Sequence, residues 1–188
     1  MDTVFSLSYP EYCVSTLLQD SFPRKEDYSV FIPLSRQEPG IDVVLMRRSR
    51  GKTKTTTIQI KASRTYEGWD SDTAKRRRFR YYTWFNTFAV SERADWYLLV
   101  GTWPPTDGRT KKVGFRWQHM VLAFTRAEMW SFLKSVKTCG GKLDSKFAFG
   151  FDEATRVFQT RGDPHRRFKA YSHRLFENRI AEIGRSLS

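Results

Sequence analysis

Asp42, Gln59 and Lys61 stand in two short runs, Gly40–Met46 and Thr57–Ser63, separated by a basic, Thr-rich turn that contains Gly51. A carboxylate, a carboxamide and an ammonium brought to one place can attack a phosphodiester. The carboxylate of Asp42 would give an oxygen to Mg²⁺, a hard cation that prefers carboxylates, carbonyls and water. The side chain of Gln59 and the main-chain carbonyl of Ile60 would complete the cage. Lys61 would hold and polarise the attacking water beside the phosphate, and the ion would acidify that water.

Two runs rich in Val, Ile and Thr on either side of a Gly-containing turn predict a β-hairpin. A turn centred between Gly51 and Lys52 sets Val43 against Ile60 and Leu45 against Ile58, an apolar face to bury. It sets Asp42 against Lys61 and Val44 against Gln59 on the other face. A plainer reading of the same residues is an amphipathic hairpin with one charged pair facing solvent.

The string Pro39-Gly40-Ile41-Asp42 followed by Gln59-Ile60-Lys61 resembles the PD-(D/E)xK nuclease superfamily, which includes many restriction endonucleases and Holliday-junction resolvases. Gly40 and Ile41 stand between the Pro and the Asp, and Gln59 replaces the usual acid. In this it is similar to the Mrr-like D…QxK variant, with one negative charge fewer in the metal cage. The resemblance implies Mg²⁺, with Mn²⁺ as a substitute, and an N-terminal helix that lends a Glu to the metal. Glu11 is the residue that fits and would partly restore the missing charge; the alternative is that Glu11 serves the dipole of its own helix. Glu38, four residues ahead of Asp42, is a loop carboxylate that would be a further metal ligand; the plainer reading is an ordinary exposed loop Glu.

The chain of 188 residues has 39% hydrophobic and 15% aromatic content, which predicts one domain with a real core rather than a disordered tail. Its formal net charge of +13 points to a polyanionic partner. No apolar run approaches the ~20 residues of a membrane span, and residues 1–10 lack the pattern of a secretory signal. The two cysteines, Cys13 and Cys139, form no CxxC and have no nearby His pair, so a zinc site or disulfide framework is not expected and a cytoplasmic setting fits. His119, His165 and His173 have no partners at metal-ligand spacing, and no GxxxxGK[ST] loop occurs.

In chain order, Tyr9–Phe22 predicts a helix with Pro10 in its first turn and Tyr12, Leu17, Leu18 and Phe22 as apolar positions. Asp27–Leu34 predicts a short strand. Lys75, Arg76, Arg77, Arg78 and Arg80, interleaved with and followed by aromatics, predict a basic strand that neutralises phosphates; a solvated edge strand is the plainer alternative. Asn86 suits the N-cap of a short helix over Thr87–Arg93. Trp96–Gly101 predicts a buried strand, and Lys111–Phe124 one or two more. Thr125 with Glu128 forms a capping-box pattern for a helix to about Thr138, with Gly140 and Gly141 beyond it. Phe147–Phe151 and Arg156–Thr160 predict a second hairpin. Arg166–Leu187 predicts a last helix with Leu175, Phe176, Ile180 and Ile183 as its stripe, packed home or against a second copy.

The order of elements resembles the core of restriction-endonuclease-like proteins: an α/β (α+β) fold with a central mixed sheet flanked by helices. A single nuclease-like domain over 1–188 is expected, with its core at about 9–138 and a C-terminal hairpin and helix added over about 139–188. The implied activity is a Mg²⁺-dependent endodeoxyribonuclease, with DNA as partner because the family mostly cuts DNA. Cutting both strands asks for two sites, hence a homodimer; activity within a larger defence or repair complex is a further alternative. The reading from a different class is a catalytically inactive nucleic-acid-binding or assembly protein that keeps the fold.

Overall fold

The computed structural model describes residues 8–33, 39–49, 51–68, 79–104, 117–152, 155–165 and 167–188. They form three α-helices and eight strands: α1 (Tyr9–Ser21), β1 (Tyr28–Phe31), β2 (Val43–Ser49), β3 (Lys52–Glu67), β4 (Tyr81–Asn86), β5 (Trp96–Trp103), β6 (Gln118–Thr125), α2 (Arg126–Ser135), β7 (Lys146–Phe151), β8 (Val157–Arg161) and α3 (Phe176–Ser186). The fold is mixed α+β, and β3 organises it. Its first half pairs antiparallel with β2, its middle runs parallel to β5, and its end pairs antiparallel with β4. β1 extends the sheet beyond β2 and β6 beyond β5, while β7 and β8 continue from β4.

The β2–β3 hairpin forms, but in a different register from the one expected. Val43 lies opposite Ile58 and Val44 opposite Thr57, down to Ser49 opposite Lys52. Gly51 adopts φ +74°, the left-handed conformation that a two-residue hairpin connection requires, and this shortest loop slides the strands by two residues. A slip of two preserves the faces because the strand period is two. It takes Asp42 away from Lys61 and leaves it just before the first pair, Val43 opposite Ile58.

Alternation along the strands builds two cores, one on each face. Val43, Leu45, Ile58, Ile60, Trp96, Leu98 and Val100 point to one face and are covered by Val14 and Leu18 of α1 and by Phe176 and Ile183 of α3. Tyr97, Leu99, Leu122 and Phe124 point to the other, where Met129 and Phe132 of α2 meet Phe85, Phe147, Phe149 and Phe151 from the β4–β7–β8 leaf. That leaf therefore folds across the face of β5 and β6. Phe132 contacts Phe147 edge-on at 5.0 Å and stacks with Phe149 at 5.9 Å, geometries that add to simple burial. The residues after 138 thus contribute to both cores.

Several local expectations are corrected. Tyr12 is exposed, and Cys13 and Val14 are buried in its place, because α1 turns its 14/18 face to the sheet. Residues 87–93 do not form a helix: the chain stays extended and irregular while Phe88 and Val90 pack onto the core and Phe88 stacks on Tyr97 at 5.9 Å. α2 has the expected cap, with Glu128 N–H donating to Thr125 Oγ1, but ends at Ser135. Beyond it, Lys137 N–H bonds to the Gly162 carbonyl and fixes the chain to the end of β8. The last helix begins at Phe176, since Tyr171 N–H is held by the Val157 carbonyl and Ser172–Arg174 make a single 3₁₀ turn. Its apolar stripe is spent within the chain. Arg179 of this helix is only 8% exposed, donates to Glu128 and Glu182, and lies over the Trp96 ring.

Candidate functional site

Asp42 sits one residue before β2 pairs fully with β3. Its N–H donates to the Ile58 carbonyl at 2.9 Å, and its Oδ2 accepts the Ile60 N–H at 2.6 Å. The carboxylate thus takes the ladder position that β2 leaves vacant. The N–H and C=O of one strand residue point to the same side, so the Ile60 carbonyl faces this edge too. Gln59, the residue before the Ile60 that Asp42 holds, is 8% exposed. The turn before β2 and the 87–95 loop close over it. A Cβ on Gly40 would fall 2.6 Å from Ser91 Oγ and 3.7 Å from Gln59 Nε2, and the φ of Gly40 is +88°. Only glycine serves there, which explains the Pro-Gly spacing before the Asp. Gln59 Oε1 is buried with no hydrogen-bond partner among the described residues. An orphaned acceptor costs about 1–3 kcal/mol, and a hard cation would satisfy it.

Lys61 follows on the same face, half-buried, with Nζ 5.1 Å from the Phe88 ring centroid. It lines a solvent-accessible cleft of about 500 Å³ together with Ser63 and Tyr66 of β3, Trp84 and Asn86 of β4, and Lys146 and Arg161 of β7 and β8. Ser63 Oγ donates to the Trp84 carbonyl and ties β3 to β4 beneath the cleft. Arg161 makes a two-pronged pair with Asp144, Nε to Oδ2 and Nη2 to Oδ1, both at 2.9 Å. The hydrogen bond from Arg161 holds the Asp144 carboxyl below its ordinary value. The guanidinium also lies 5.6 Å from the Trp84 ring centroid.

The other expected site residues are dispersed. Glu11 closes the capping box of α1, accepting Ser8 N–H at 2.9 Å. Its helix covers the sheet face opposite to the one that carries Gln59. Lys75, Arg76, Arg77 and Arg78 lie outside the described residues, as does Glu38. The described chain resumes at Phe79, buried against Phe158 and Phe168. Arg80 is exposed, its N–H donating to Asp152 and its guanidinium over the Tyr81 ring. Burial pushes the Cys13 thiol up to about 11, so it is no nucleophile.

Among the described residues no three His, Cys, Asp or Glu side chains gather into a metal-binding group. The donors near Asp42 are one carboxylate, one carbonyl and one orphaned amide oxygen. That set fits Mg²⁺ of the kind completed by substrate phosphates, not an all-protein cage. Lys146, Arg161, Asn86 and Tyr66 had no sequence signal as site residues; strands remote in sequence deliver them to Lys61. No family model matches the chain, and no curated protein or solved structure matches it.

Proposed function

We propose that the chain is a metal-dependent nuclease of the restriction-endonuclease-like kind, acting on DNA at Asp42, Gln59 and Lys61. The observation that carries this reading is the Asp42 carboxylate held on the Ile60 N–H between Gln59 and Lys61, with the Gln59 amide oxygen unsatisfied among the described residues. The order of helix, strand, hairpin and buried strand, on which the resemblance rests, supports it, with β5 lying parallel beside β3. A formal charge of +13 suits a polyanionic substrate.

Asp42, Gln59 Oε1 and the Ile60 carbonyl would hold the ion, and Glu11 stays with its helix cap. When bound, the ion would neutralise charge developing on the scissile phosphate and acidify the attacking water. Asp42 is oriented for this by the Ile60 N–H, which fixes one carboxylate oxygen. Lys61 holds the phosphate and the water in line, and Phe88 limits the swing of its side chain. The water oxygen bonds to phosphorus, a P–O bond to the sugar breaks, and the departing oxygen takes a proton from solvent.

The test is cleavage of plasmid or branched DNA with Mg²⁺ or Mn²⁺. Lys61→Ala is expected to abolish cutting, by 10²-fold or more, while DNA retention persists. Binding by the wild type without cleavage under every metal tried would favour the inactive DNA-binding reading, which the single carboxylate at Asp42 also suits.

A further inference from the structure

The cleft beside Lys61 has a composition that the hydrolytic site does not require. Its lining includes Lys61, Lys146 and Arg161 and, among the described residues, no carboxylate. Arg161 has its charge engaged by Asp144, so among the described lining residues Lys61 and exposed Lys146 are the cations left to meet a ligand. A cleft with two such ammoniums selects an anion and repels a metal ion. Its walls are aromatic: Tyr66 is 56% exposed, and Arg161 lies over Trp84. Asn86, exposed at the rim, offers both a donor and an acceptor. A volume of about 500 Å³ is the size of a small-molecule site rather than a groove for a double helix.

We infer that this cleft receives one unpaired nucleotide of a polynucleotide, its phosphate between Lys61 and Lys146 and its base against Tyr66 and Trp84. The inference rests on the nucleic-acid substrate proposed above and narrows it to strands with an accessible single-stranded nucleotide. Paired bases are stacked on their neighbours and cannot present a face to Tyr66, whereas unpaired ones stack on aromatic side chains whatever their sequence. From Gln59 to Ser63 along β3 is roughly 13 Å, so the nucleotide would sit within reach of the strand that is cut.

The experiment measures binding of the full chain in EDTA, where no cleavage interferes, to single-stranded and duplex DNA oligonucleotides of equal length. The single strand carries 2-aminopurine, whose fluorescence falls when it stacks. The wild type is expected to prefer the single strand and to quench the probe. Tyr66→Ala and Lys146→Ala, at exposed positions that do not hold the core, are each expected to weaken single-strand binding about tenfold. Tyr66→Ala should also abolish the quench, whereas Tyr66→Phe and Lys146→Arg should retain it. Equal loss on duplex and single strand, an unchanged quench in Tyr66→Ala, or no binding by the wild type would overturn the inference. A wild type that binds and quenches in this way but never cuts DNA would overturn the nuclease reading alone.

Discussion

Returning an acid to position 59 tests whether Asp42 and its neighbour share an ion. In Gln59→Glu a second carboxylate stands next to the Ile60 N–H that holds Asp42, and two acids able to share one ion lie roughly 5 Å apart. At an effective dielectric near 20, two unit charges at that distance repel by about 332/(20 × 5), or ~3 kcal/mol. Burial adds to this, since the side chain at 59 is 8% exposed. For a domain of this size each kcal/mol moves Tm by about 2–4 °C, so the variant should melt about 6–12 °C below wild type at pH 8 in EDTA. A divalent ion between the two acids reverses the sign of the interaction. Mn²⁺ at about a hundred times its Kd would return about 2.7 kcal/mol, most of the loss. The wild type, with one carboxylate, should rise by less than about 2 °C, and Gln59→Met not at all. Thermal melts with and without Mn²⁺ give the answer. A Gln59→Glu variant that loses stability in EDTA and gains none with Mn²⁺ would refute the shared-ion geometry.

Asp42→Ala strands the Ile60 N–H and should cost about 1–3 kcal/mol in chemical denaturation. Asp42→Asn keeps an acceptor there and should cost less, while both abolish metal-dependent cleavage. Stability should fall in two stages on acidification. His119 is held below its ordinary 6.5 by burial, against the pull of Glu177, and His173 by burial with Arg174, Arg179 and Lys169 beside it. The fold disfavours the charged form of both, so their contribution is full above pH 6.5 and declines as pH drops below it. Burial pushes Glu128 up, but Arg174, Arg179 and the Thr125 N–H outweigh it, and Arg161 lowers Asp144. Their contribution is full above the ordinary carboxylate values of 4.5 and 3.8 and is lost as pH falls through the lowered ones. Urea midpoints between pH 8 and 3 check both stages, and replacing both His residues by Gln should flatten the first. Changing Arg76, Arg77 and Arg78 together to Ala should lower the slope of log affinity for DNA against log salt by about 2.7 if each neutralises one phosphate; an unchanged slope removes them from the interface.

Elements with a strong local pattern were legible in the sequence. The capping box at Thr125–Glu128, the all-apolar run of β5 and the alternation of Phe147, Phe149 and Phe151 each depend on neighbours a few residues away. The 87–93 segment was not, because its Phe88 and Val90 find a better partner in Tyr97 than a helix would offer them. The tail before α3 failed for a similar reason: its backbone bonds to β8 instead of to itself.

The sequence by itself determined that Gln59 and Lys61 share one sheet face, opposite the apolar face of Ile58 and Ile60, because strand alternation has a period of two and survives the register slip. It also determined the basic balance that points to a polyanion. Only the tertiary structure decided that Asp42 bonds the backbone of Ile58 and Ile60 instead of lying opposite Lys61, since the connection at Gly51 sets the register of β2 and β3. It alone decided that Glu11 is committed to a helix cap, and that Lys146 and Arg161 arrive beside Lys61. Those placements depend on how one leaf of the sheet folds over the other. That packing is fixed by contacts between residues far apart in the chain, and no local pattern encodes it.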